Sequence, residues 1–123
     1  MKRAHSLIDS FTDAFIGMSL ALREERNMRI HFALAALATL LGLYLGLEPW
    51  QWVVILLVIA AVISMELVNS AIERAVDLAE PNDNPLAAFA KRLAASAVLV
   101  VAVVAVVIGL IIFVPYLRVK FGI

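Results

Sequence analysis

The sequence contains no cysteine, and only 16% of its 123 residues are charged. The absence of cysteine excludes disulfides, thiolate metal sites and thiol catalysis. Ten basic and ten acidic residues give a formal net charge of zero, so the charge does not indicate a nucleic-acid partner. Also missing are a glycine-rich phosphate loop, a strand pattern, a His/Cys zinc spacing and a Ser/His/Asp set. The common soluble nucleotide-binding folds are therefore excluded.

Apolar residues make up 64% of the chain, and the mean hydropathy is +1.01. A helix needs about 20 apolar residues to cross a bilayer. Three apolar segments reach or nearly reach this length, and we predict transmembrane helices at 28–47, 49–79 and 85–115. The chain is therefore predicted to be an all-α integral membrane protein with a single domain, 1–123. Its beginning lacks the apolar core of a signal peptide, so we expect no cleaved targeting segment.

A further helix is predicted ahead of the first span, at residues 6–22. Its larger apolar residues fall within about 80° of one another on a helical wheel. They are Leu7, Phe11, Phe15, Met18 and Leu22. This pattern is typical of an amphipathic helix that lies on the membrane surface. A helix that packs on the protein's own bundle would show the same pattern.

The distribution of basic residues predicts the orientation in the membrane. Residues 23–31 carry three arginines at the start of the first span, whereas the turn at 46–52 has two tryptophans and no Lys or Arg. By the positive-inside rule the first end lies in the cytoplasm and the turn lies outside. Arg118 and Lys120 would then lie outside, which is a mild violation of the rule. We expect Pro115 to end the third span.

Four polar residues form a narrow stripe on the second predicted span. At 100° per residue, Glu66, Asn69, Glu73 and Asp77 lie at 0°, about −60°, about −20° and about +20°. Glu66 is about 26 Å from the start of the helix, near the inner boundary of the hydrocarbon, and the others lie further into the cytoplasm. Ionisable groups at such depth usually mark a functional site. A solvated, acidic helix end is the alternative.

The stripe belongs to a larger set of oxygen ligands and cations on the cytoplasmic side. Glu25 adds a carboxylate, and Arg29 and Lys91 add positive charge. Oxygen ligands of this kind suit Mg²⁺, which takes one or two protein carboxylates together with substrate phosphates. Phosphoryl transfer needs such a metal, a cation on the phosphates and an oriented nucleophile. The set permits a lipid kinase, but a cation carrier would use similar carboxylates.

Four segments carry a resemblance to a known family. They are Glu66-Leu67-Val68-Asn69-Ser70-Ala71-Ile72-Glu73 with Val76-Asp77, Glu24-Glu25-Arg26-Asn27-Met28-Arg29-Ile30-His31, Asn84-Pro85-Leu86-Ala87 with Ala90-Lys91, and Gly109-Leu110-Ile111-Ile112-Phe113-Val114-Pro115. The first closely resembles the E-x-x-N-[ST]-A-[IL]-E-x-x-V-D signature of prokaryotic diacylglycerol kinases, which include undecaprenol kinases. The others are similar to the Gram-positive branch. The resemblance covers residues 11 to 117.

The resemblance implies a homotrimer in the bacterial inner membrane that uses MgATP to phosphorylate a lipid alcohol. It implies that Glu66 is the base on the lipid hydroxyl, that Glu25 and Glu73 hold Mg²⁺, and that Lys91 contacts a nucleotide phosphate. By the same resemblance, Asn69 and Asp77 are polar residues around the nucleotide. We also expect Arg29 at the substrate-binding site. Diacylglycerol and undecaprenol both remain candidate substrates.

Three residues depart from the family pattern. Arg92 stands in place of an aspartate, Ser96 in place of a glycine and Asn84 in place of a histidine. Because Arg92 replaces an acid beside the nucleotide, a catalytically weak or inactive trimeric membrane scaffold is an alternative function. A small carboxylate-lined cation carrier is a further alternative, which only the depth of Glu66 favours.

Overall fold

The computed structural model describes residues 6–123, which form four α-helices. They are α1 (Leu7–Glu24), α2 (Arg26–Leu45), α3 (Pro49–Ala79) and α4 (Pro85–Phe121). Helices α2, α3 and α4 are long and apolar enough to cross a membrane, with mean hydropathies of 1.6, 2.4 and 3.5. The predicted all-α fold with three helices of spanning length is therefore confirmed. Residues 1–5 of the predicted domain lie outside the described part.

Helix α1 begins with reciprocal hydrogen bonds between its cap and its first turn. The amide of Asp9 donates to the Ser6 hydroxyl over 3.1 Å, and the amide of Ser6 donates to the Asp9 carboxylate over 3.0 Å. These bonds favour the ionised carboxylate and lower the pKa of Asp9. Leu7, Phe11 and Phe15 are exposed along the helix. The cap thus defines the start of the helix, and the side chains of Leu7, Phe11 and Phe15 do not pack inside the chain.

The tightest packing lies between α3 and α4, towards the end of the bundle that carries the turn between α2 and α3. Ile55 and Ile112 are buried there together with Leu47, and partly buried aromatic residues pack around them. Beside this cluster, the hydroxyl of Tyr116 donates to Gln51 Oε1 over 2.7 Å. Most other apolar side chains of the spans are exposed. This is expected for helices whose neighbours are lipid tails or other helices.

A sharp turn joins α2 to α3. Gly46 has a φ of 73°, which lies in the left-handed region that glycine adopts without strain. One turn earlier, a Cβ on Gly42 would lie 2.9 Å from both Leu47 and Trp52. A glycine at 42 therefore allows α2 and α3 to approach closely here.

The limits of two predicted spans need correction. The third span was predicted to end at 115, but α4 continues through Pro115 and ends only at Phe121. Proline removes one backbone hydrogen bond, which an otherwise regular helix tolerates, and the next helix-ending residue is Gly122, with a φ of 64°. The first span was predicted at 28–47, whereas α2 begins at Arg26 and ends at Leu45, because Gly46 turns the chain.

Candidate active site

Glu66 is a buried carboxylate on α3, with an exposed fraction of only 3%. Its Oε2 lies 3.8 Å from Nε2 of His31 on α2, whose side chain is 18% exposed. Glu66 also interacts electrostatically with Glu25 and Glu73. A carboxylate at this depth in a membrane is costly unless it is paired or functional. The structure therefore places the predicted base among charged and titratable neighbours from three parts of the chain.

The remaining residues of the stripe become more exposed towards the end of α3. Asn69 is 8% exposed, Glu73 is half-buried and the side chain of Asp77 is 62% exposed. The Oδ1 of Asn69 is buried and accepts no hydrogen bond within the described chain. A buried acceptor without a partner costs about 1–3 kcal/mol. A polar ligand group beside Asn69 would relieve this cost.

Glu25 lies between α1 and α2 and belongs to neither helix. Its φ of −100° and ψ of 114° are extended, so the chain changes direction there. Its Oε1 lies 2.8 Å from Nη1 of Arg74 on α3, and Oε2 of Glu24 lies 2.9 Å from Nη2 of the same arginine. Arg74 directly follows Glu73 in the sequence. The predicted metal ligands Glu25 and Glu73 thus come from segments that are distant in sequence. Arg74 connects them, because it follows Glu73 and contacts Glu25.

Arg29 contacts the end of α1. Its Nη1 donates to the backbone oxygens of Leu22 and Arg23, over 3.2 and 2.9 Å. These are carbonyls of the last turn of α1, which have no partner within the helix. Arg29 is therefore a cap of α1 in this structure. Its predicted role in substrate binding stays a prediction.

Lys91 and Asp77 form an ion pair that joins the start of α4 to the end of α3. Helix α4 starts there because Asn84 Oδ1 accepts from the amide of Leu86 over 2.8 Å, and Pro85 occupies the first helical position. Asn84, one of the three departures from the family pattern, thus acts as the helix cap. The pair brings the predicted phosphate-binding lysine to the polar stripe.

The donor types suit a magnesium ion. Within residues 6–123, no three His, Asp or Glu side chains converge in a way that would hold a metal by themselves. Mg²⁺ commonly uses only one or two protein carboxylates and takes its other ligands from water and phosphate oxygens. Glu25 and Glu73 provide this number and type of ligand. The residues present therefore fit the metal that the resemblance implies.

An apolar groove begins at His31 and continues along α2, α3 and α4. Its cavity volume is about 200 Å³. Small residues form much of its wall, among them Ala35, Ala102 and Ala105, and Phe113 lies at its far end. Because His31 contacts Glu66, the groove opens next to the buried carboxylate. An apolar chain in this groove would have its polar end at Glu66.

The sequence analysis missed His31 and Arg74 as parts of this site. His31 lies in a segment that carries the resemblance, and Arg74 lies between two parts of another, but neither belongs to the polar stripe. On the helical wheel, Arg74 is about 80° from Glu66, so the stripe does not include it. His31 is on another helix, and no periodicity within α3 could indicate it. A pattern search limited to one helix face could not find either residue.

Comparison with known proteins identifies the family. A family model described as prokaryotic diacylglycerol kinase matches residues 12–113. An undecaprenol kinase of Bacillus subtilis is 43% identical over 108 residues, which cover 88% of each chain. A diacylglycerol kinase of Synechocystis is 41% identical over 108 residues, covering 86% of this chain and 61% of the relative. A diacylglycerol kinase of Helicobacter pylori strain J99 is 36% identical over 84 residues, covering 68% of this chain and 66% of the relative.

These matches confirm the resemblance seen in the four sequence segments. The matched region includes Glu25, the whole polar stripe and Lys91. The chain belongs to the prokaryotic diacylglycerol kinase family, a family of lipid kinases, which are phosphotransferases with an alcohol group as acceptor.

Proposed function

We propose that the protein is an ATP- and Mg²⁺-dependent kinase that phosphorylates the hydroxyl of a membrane lipid alcohol, diacylglycerol or undecaprenol. One observation carries this proposal: buried Glu66 lies where the apolar groove meets the charged cluster. A lipid in the groove would present its hydroxyl to Glu66, and ATP would approach from the exposed side, where Glu73 and Lys91 lie. The substrate and the nucleotide would thus come together at the membrane boundary.

The reaction joins the lipid oxygen to the γ-phosphorus of ATP and breaks the bond from that phosphorus to the β–γ bridging oxygen. ADP leaves, and the hydroxyl proton moves to the carboxylate of Glu66. Glu25 and Glu73 would hold Mg²⁺, which supplies positive charge on the phosphates when it is bound. Lys91 adds a cation on the transferred phosphate, and Asn69 and Asp77 provide polar contacts for the nucleotide. Positioning and charge therefore account for most of the catalysis.

We further propose that the protein is a multi-pass protein of the bacterial inner membrane with its active site in the cytoplasm. The arginines of residues 23–29 favour this orientation, as do Trp50 and Trp52 at the other end. The exposed apolar side chains of α1 support a position on the membrane surface. A homotrimer would cover part of the exposed apolar area of the spans and is the assembly that the family resemblance implies.

Transfer of labelled γ-phosphate from ATP to lipid tests this function. Purified protein in vesicles would receive diacylglycerol or undecaprenol in matched amounts, with and without Mg²⁺. We expect Mg²⁺-dependent labelling of at least one lipid, and the comparison identifies the preferred alcohol. Folded protein that labels neither lipid would favour the scaffold, for which Arg92 is the motivating residue. Cation flux in the same vesicles would favour a carrier.

Lys91→Ala should raise the KM for ATP and lower kcat, for a loss of at least about tenfold in kcat/KM. The physical reason is that one cation on the transferred phosphate contributes in both the ground state and the transition state. Steady-state kinetics with varied ATP would measure this. Lys120→Ala is the matched control, because Lys120 lies at the other end of α4, over the ring of Tyr44. Unchanged ATP kinetics in Lys91→Ala would limit Lys91 to its ion pair with Asp77.

A further inference from the structure

Arg74 binds two adjacent carboxylates across the fold, and the mechanism above does not use it. Nη2 lies 2.9 Å from Glu24 Oε2, and Nη1 lies 2.8 Å from Glu25 Oε1. The same Nη1 lies 3.3 Å from the backbone oxygen of Ser70, one turn earlier on α3. Each of its terminal nitrogens therefore has a carboxylate partner at the α1–α2 junction. Arginine suits this arrangement because its planar group has several donors in fixed directions.

The position of Glu25 depends on contacts outside its own segment. Glu25 is the single residue between α1 and α2 and has an extended backbone, so no helix fixes the direction of its side chain. Nearby, α1 and α3 leave a groove between them, lined by Gly17, Leu20 and Ala71 and closed at one end by Arg74. Arg74 and its two partners thus connect the junction to α3 beside this groove.

A contribution to the stability of the fold does not by itself explain why Arg74 forms two ion pairs. The side chains of Arg74 and Glu24 are 52% and 54% exposed, and exposed ion pairs contribute little to stability. Glu25 is better shielded, at 25% exposed. Arg74 therefore fixes the position of the half-buried Glu25 carboxylate more than it stabilises the fold, and it does so from the position next to Glu73 in the sequence.

We propose that Arg74 is a positioning residue, which holds the Glu25 carboxylate on the Glu73 side of the junction so that both can bind one divalent cation. Glu24 is the second anchor: it keeps Arg74 at the junction when Glu25 turns to the metal. This inference rests on the proposed function for the identity of the metal site. It adds an arginine and a glutamate to that site, neither of which touches the substrate.

The test compares Arg74→Gln and Arg74→Lys with Arg26→Gln. Arg26 is exposed at the start of α2, so its variant removes the same charge from the same region. The first readout is Mn²⁺ binding, measured by electron paramagnetic resonance with a non-hydrolysable ATP analogue and no lipid. The second readout is the lipid assay with varied Mg²⁺, which gives kcat and the KM for Mg²⁺ separately. Gel filtration and circular dichroism would establish that each variant is folded.

We expect Arg74→Gln to weaken Mn²⁺ binding and to raise the KM for Mg²⁺ by about tenfold, while kcat at saturating Mg²⁺ changes by less than about twofold. Arg74→Lys should recover part of the affinity, because one ammonium can hold one of the two carboxylates. Glu24→Gln should have a smaller effect in the same direction, and none in the Arg74→Gln background, since the two residues act as a unit. Arg26→Gln should match the wild type.

Two results would overturn the inference. One is Mn²⁺ binding by Arg74→Gln that equals binding by Arg26→Gln. The other is a fall in kcat with an unchanged KM for Mg²⁺, which would mean that Arg74 acts on the substrate. Mn²⁺ binding is measured without lipid and without turnover. Weakened binding in Arg74→Gln together with a wild-type protein that labels no lipid would therefore support the positioning role and reject the kinase function.

Discussion

Glu66→Gln is expected to lower kcat at least about a hundredfold, the smallest loss that usually follows removal of a general base. Glutamine has the shape of glutamate but does not accept the hydroxyl proton. The variant should fold, because the substitution removes a charge from a site that is only 3% exposed. MgATP binding should be close to normal, since the metal ligands and Lys91 are unchanged. Steady-state kinetics and nucleotide binding on the same preparation would measure both effects.

The control for Glu66 is Glu80→Gln. Glu80 is at the end of α3, on the same side of the membrane, and accepts a hydrogen bond from the amide of Asn82. Its variant should retain nearly full kcat. If Glu66→Gln loses nucleotide binding but keeps normal turnover once saturated, Glu66 is a metal ligand rather than the base. The assignment from depth would then be wrong.

Glu73→Gln and Glu25→Gln should each abolish phosphoryl transfer at ordinary Mg²⁺ concentrations. An amide oxygen is an uncharged and weaker ligand for Mg²⁺, and these two carboxylates are the proposed protein ligands. The loss should lie in metal affinity, so higher Mg²⁺ should restore part of the activity. A titration of the rate with Mg²⁺ would show this as a shifted curve. Glu25→Gln also loses an ion pair with Arg74, so we expect a larger loss of metal affinity in that variant than in Glu73→Gln.

Asp83→Asn is the control for this pair, because Asp83 is exposed in the loop between α3 and α4. It removes a carboxylate at the same end of the bundle without changing the site. Full activity of Glu73→Gln or Glu25→Gln at ordinary Mg²⁺ would exclude that residue from the metal site. An unshifted Mg²⁺ curve with a reduced maximum would indicate a role in the transfer step instead.

The sequence alone predicted the three spans and the polar stripe, because both are properties of a single helix. Pro49 at the start of α3 and Asn84 before α4 are local signals, and the observed helices begin where these signals indicate. The order of the stripe along α3 is equally local. Side-chain exposure rises from buried Glu66 to exposed Asp77, whereas the predicted depths in the membrane stay predictions.

The tertiary structure decided which helices meet around that stripe. Helical periodicity fixes angles within one helix but says nothing about distances between helices, so His31 beside Glu66 could not be derived from the pattern. For the same reason, periodicity could not predict that Arg74 contacts Glu24, 50 residues away in sequence. Nor could it predict that Arg29 caps α1. The prediction that Pro115 ends the third span was wrong for a related reason. A proline only weakens a helix locally, and the apolar surroundings of a membrane favour the state in which all other backbone groups stay hydrogen-bonded.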